Sequence, residues 1–152
     1  LNLFKPESNM GSSLLRFALV FTAASIAIPF LVMAIERLLN ISVSSAGTSM
    51  IPFMVAASIE GQNYVKQFGD VPSKPEMWFA ARLMALVGMG LALILGAVSL
   101  YLFPETREIL AILPTLALLI IVVVLYIIAF LICRAFIGIG ARAELKKRVG
   151  RR

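Results

Sequence analysis

The chain contains no histidine and a single cysteine, Cys133. The first absence closes off imidazole general acid/base chemistry, Ser-His-Asp triads and His-ligated zinc or haem; the second excludes an intrachain disulfide. Charge is also scarce. Only 14% of residues are Asp, Glu, Lys or Arg, where an ordinary soluble domain carries about a quarter. No phosphate-binding glycine loop, metal-ligand pair of known spacing or nucleophile with an adjacent base is present. The expectation is a non-enzymatic chain without a cofactor or metal.

What fills the space is apolar. Across 152 residues, 61% are hydrophobic and the mean hydropathy is +0.97. Hydrophobic runs extend around whole helices instead of along one stripe, so lipid, not a soluble core, must take up the outer faces. The pattern predicts one all-α polytopic membrane domain of about four transmembrane helices. Cys133 lies inside such a run and reads as a buried or lipid-facing thiol. The first run is too long, and lacks a small-residue cleavage site after it, to read as a separate signal peptide.

The first predicted span covers residues 14–35, about 33 Å at ~1.5 Å per residue against a hydrocarbon core of ~30 Å. Arg16 near its start is expected to snorkel to the headgroups, Pro29 to kink the helix, and Glu36 with Arg37 to close the far end. The second span, 46–64, is the weakest, because only residues 46–59 are convincingly apolar and Glu60, Gly61, Gln62 and Asn63 follow. It predicts a tilted or protein-shielded crossing, with a re-entrant segment as the alternative. Ser73, Pro75 and Glu76 read as a helix start with Ser73 as cap and Glu76 reaching back. The third span then runs over 78–103, with Gly88, Ala92 and Gly96 every fourth residue on one face suited to close helix packing. The fourth, 112–136, is the most apolar, with Pro114 marking off its first turn. Gly138 and Gly140 read as a helix stop before a basic tail, 137–152.

Orientation follows from the basic residues. Four spans place both termini on one side, and that side receives every Lys and Arg except Arg37 and Arg107. The positive-inside rule makes it the cytoplasmic side of the membrane. The net charge of +6 is concentrated at the end of a hydrophobic helix, which points to an anionic lipid surface and away from nucleic acid. Lys146, Lys147, Arg148, Arg151 and Arg152 are the candidate lipid contacts. Glu60 is the candidate ion or proton site, against the simpler reading of a polar cluster at a helix end. Glu36, Glu105 and Glu108 on the outer side each have an arginine in sequence reach and read as charge-paired helix ends.

The stretch Phe68-Gly69-Asp70-Val71-Pro72-Ser73-Lys74-Pro75-Glu76-Met77-Trp78 resembles the loop before the third helix in a family of small uncharacterised proteobacterial inner-membrane proteins of about four spans. Asp70 departs from that family, which tends to carry a basic residue after the glycine. The resemblance implies an architecture and no catalytic residues. The function expected from the sequence is an accessory or stabilising subunit of a larger membrane complex, with other membrane subunits as partners. The alternatives are a small oligomeric transporter or channel that uses Glu60, and a membrane immunity protein.

Overall fold

The computed structural model describes residues 8–40, 48–102 and 114–150. They form four helices, α1 (Ser8–Leu39), α2 (Ile51–Phe68), α3 (Lys74–Leu102) and α4 (Thr115–Val149), with no strand among the described residues. At ~1.5 Å per residue, α1, α3 and α4 are each more than 40 Å long and α2 about 27 Å. The first three are long and apolar enough to cross a bilayer; α2 is not. Only 6%, 17% and 11% of the most apolar stretches of α1, α3 and α4 is buried by the protein. Leu19, Leu31, Leu93, Ile120 and Leu131 stand more than half exposed, as side chains solvated by lipid do.

Packing goes around the bundle in the order α1, α2, α4, α3, with the α2–α4 contact the most extensive and α3 closing back onto α1. Directions follow from the contacts. Glu60 of α2 meets Ser13 and Arg16 of α1 while Phe53 meets Phe21, so α1 and α2 are antiparallel. Ser58 lies against Gly140 and the Lys66 carbonyl accepts from Arg148, so α2 and α4 are parallel.

The core sits on α2. Phe53, Ala56 and Ala57 pack with Phe17, Phe21, Ala81, Met84, Ala85, Ala129, Cys133 and Ile137. The short helix is therefore shielded by the long ones along its buried face, where its charged residue Glu60 is hydrogen-bonded, while Lys66 and Gln67 near its end are exposed. α2 begins at Ile51, later than the expected second span, and carries the polar stretch Glu60, Gly61, Gln62 and Asn63 on to Phe68, four residues past the expected end. It stops at Gly69, in the left-handed region (φ 77°), whose N–H donates to the Val65 carbonyl at 2.9 Å.

Two other boundaries move. α4 runs unbroken through Gly138 and Gly140 to Val149, so these glycines do not stop the helix. Pro114 caps its start with extended backbone, as expected of a residue that ends one segment and opens the next. The α3 start matches its capping signal: the Ser73 N–H and Oγ donate to Glu76 Oε2 at 2.8 and 2.7 Å. Glu105, Glu108, Arg151 and Arg152 lie outside the described residues.

Candidate functional site

Three places bring together the residues with chemical or packing character. The first is Glu60. A carboxylate two turns from the end of a shielded helix must be paired if it is buried, because an isolated charge out of water is costly. Arg16, two turns into α1, meets it as a fork: Nε donates to Oε1 at 2.7 Å and Nη2 to Oε2 at 2.9 Å. Ser13 Oγ, one turn earlier, adds a bond to Oε2 at 3.1 Å. The Glu60 side chain is 4% exposed and that of Arg16 39%. Arg16 therefore turns inward to Glu60 and does not extend freely to the headgroups as the sequence reading expected; a guanidinium and a carboxylate one helix apart satisfy each other in two parallel bonds.

Below this pair a cavity of about 80 Å³ separates Glu60 from Tyr64, Glu76 and Met77. Tyr64 Oη donates to Glu76 Oε2 at 3.2 Å, linking α2 to the start of α3. Glu60 thus ties α1 to α2 as one half of a neutral pair.

The second place is the α2–α4 crossing. A Cβ at Gly61 would overlap the Ile137 carbonyl oxygen, and one at Gly140 would overlap the Ser58 carbonyl. The two backbones touch here, so only glycine fits at either position. The sequence reading placed helix packing elsewhere and missed this contact. Its signal was Ala57 and Gly61 four residues apart, with Gly140 and Ala141 on the facing helix.

The third is the α3 face of Gly88, Ala92 and Gly96, which the structure divides. Gly88 is covered within the chain: a Cβ there would lie 2.5 Å from Phe53 Cε1. Ala92 packs on the edge of the core. A Cβ at Gly96 would meet nothing within 4 Å beyond its own helix, and the residue forms part of the wall of an open cleft of about 500 Å³ between α1, the start of α2 and α3. Phe21, Ile28, Val32 and Leu95 make most of that wall apolar, Ser25 and Ser99 add hydroxyls, and Glu36 stands at its mouth.

The tail residues Lys146, Lys147 and Arg148 lie on the exposed last turns of α4. Arg148 is bonded to the Lys66 carbonyl at 3.2 Å and lies 3.7 Å from Glu144. Ala141 is buried against the bundle, while Val149 at the end of α4 is exposed. Among the described residues no group of three or more Cys, Asp or Glu is placed to hold a metal ion. No protein-family model, curated protein or solved structure matches the chain.

Proposed function

We propose that the chain is a non-catalytic integral membrane protein that serves as an accessory or stabilising subunit of a larger bacterial membrane assembly. In this reading it has four passes, including the shielded α2, lies in the inner membrane with both termini cytoplasmic, and is related to the four-span family that its Phe68–Trp78 loop resembles. One observation carries the reading: Gly96, where a Cβ would meet nothing within 4 Å, on the wall of the cleft of about 500 Å³ between α1, the start of α2 and α3. Small residues with neighbouring hydroxyls let a second helix approach closely and hydrogen-bond across the contact. The occupant is a transmembrane helix of another subunit.

The transporter alternative draws on Glu60, and the Arg16 fork weakens that support because both carboxylate oxygens are engaged. No observation favours the immunity-protein alternative.

A photo-crosslinking residue at Ser99, introduced in the native membrane, tests the subunit reading. A discrete protein adduct is expected, identifiable by mass spectrometry and lost in a Gly96→Phe background, whose ring would extend into the cleft from a position where a Cβ meets nothing within 4 Å. The adduct partner should also fall in abundance in that background. Adducts with lipid alone, or a protein adduct indifferent to Gly96→Phe, overturn the reading.

A further inference from the structure

Arg82 and Arg134 converge on one indole. The Arg134 guanidinium lies 4.4 Å from the centroid of Trp78 and that of Arg82 lies 5.8 Å from it. Trp78 is 38% exposed, and the Phe130 ring of α4, the helix that also carries Arg134, lies 5.1 Å from the indole. Cation–π attraction accounts for each contact singly. It does not account for two like charges at the same ring in a low-dielectric setting, where they repel.

Among the described residues nothing acidic compensates them. Among the described residues the carboxylates lie elsewhere: Glu60 is held by Arg16, Glu76 by Ser73 and Tyr64, Glu144 lies beside Arg148, Asp70 accepts from the Val71 N–H, and Glu36 is at the opposite end of the bundle. No ion pair to Arg82 or Arg134 is present among the described residues, and the Trp78 indole N–H meets no acceptor there.

We propose that Trp78, Arg82 and Arg134 form a binding site for the phosphodiester headgroup of an anionic phospholipid. Two guanidinium groups and an indole N–H supply the planar, multidentate donors that a phosphate takes. Tryptophan and arginine are at home at headgroup depth, and this site lies near the start of α3, level with the Arg16–Glu60 pair across the bundle.

The surface beyond the cations favours lipid over free phosphate. On α3, Leu86 and Leu93 follow Arg82 at helical spacing; on α4, Leu131 and Ile127 precede Arg134 in the same way. All four are about half exposed. Charge and acyl-length apolar surface are thus continuous on one face of the α3–α4 pair, matching a headgroup with its chains attached. The inference rests on the membrane reading of the chain and not on its role as a subunit.

Trp78 is the only tryptophan, so its fluorescence reports on the site directly. The full chain in phosphatidylcholine nanodiscs is titrated with a minor fraction of phosphatidylglycerol brominated on its acyl chains, or with brominated phosphatidylcholine as the matched control. Quenching by the anionic lipid should exceed the control at equal fraction. Each arginine near an anionic headgroup contributes roughly five-fold in affinity, so Arg82→Gln with Arg134→Gln should lower the preference on the order of ten-fold or more.

Arg82→Gln alone, a change at an exposed position, should lower it about five-fold with the fold intact by circular dichroism. Replacing Lys146, Lys147 and Arg148 with Gln should leave the preference at Trp78 in place. Equal quenching by the two lipids, a preference unchanged in Arg82→Gln, or its loss in the tail variant overturns the site. Displacement of the anionic lipid by millimolar inorganic phosphate would overturn the lipid assignment in favour of a free anion.

Discussion

Breaking the Arg16–Glu60 fork tests whether α1 is held to α2 by charge. Arg16→Met removes the two bonds at 2.7 and 2.9 Å and leaves Glu60, 4% exposed, with Ser13 as its remaining partner. Orphaning a fully buried ion costs about 3–5 kcal/mol. Arg16 is itself 39% exposed, so the pair is partly screened and the lower end, about 3 kcal/mol, applies. For a chain of this length each kcal/mol shifts the midpoint by about 2–4 °C, so Arg16→Met should unfold roughly 6–12 °C below wild type.

Glu60→Met should cost less, about 1–2 kcal/mol, because the cation left behind can turn toward water or headgroups. The double variant, Arg16→Met with Glu60→Met, should recover most of the loss, since an apolar pair of similar volume replaces the ions at little cost. Cys133, the only cysteine and fully buried, makes the assay simple: a thiol-reactive dye reads its exposure on heating. A midpoint for Arg16→Met within about 2 °C of wild type, or a double variant that loses the sum of the singles, would show that charge does not hold α1 to α2.

The three glycine environments rank in the same assay. Gly140→Leu meets the Ser58 backbone and should lose about 3 kcal/mol, the upper end for overpacking; Gly88→Leu meets the movable Phe53 ring and should lose less. Gly96→Leu points into open space and should be neutral or stabilising by up to about 1 kcal/mol through helix propensity. Equal losses at all three positions would contradict the division of the α3 face. Single cysteines at Ser8, Ser42, Ser73 and Thr106 in a Cys133→Ser background check the orientation: positions 8 and 73 should label only from the cytoplasm, 42 and 106 only from the periplasm. Periplasmic labelling at position 8 would reject four spans with cytoplasmic termini.

The membrane character and the three long helices were legible in the residues, because a span is decided by the length and apolarity of a continuous run, and both are local. So was the α3 start, since Ser73 and Glu76 cap the helix within a single turn. The pairing of Glu60 was not: its partner stands 44 residues away, and nothing local distinguishes a carboxylate reaching water from one reaching an arginine of another helix. Gly140 misled for a related reason. A glycine near a basic tail reads as a stop, while its place inside α4 depends on the backbone of α2 passing against it.

The residues alone thus determined that the chain is helical and apolar enough for lipid, where its strong helices lie, and which end carries the positive charge. Each follows from short-range periodicity and composition. Tertiary structure decided the rest: that α2, too short and polar to face lipid, is enclosed by its neighbours; that Gly88 is spent on Phe53 while Gly96 stays open; and that Arg82 and Arg134, far apart in the chain, meet at one tryptophan. These depend on which helix faces become neighbours and at what register, and helix periodicity offers each face many partners of similar fit.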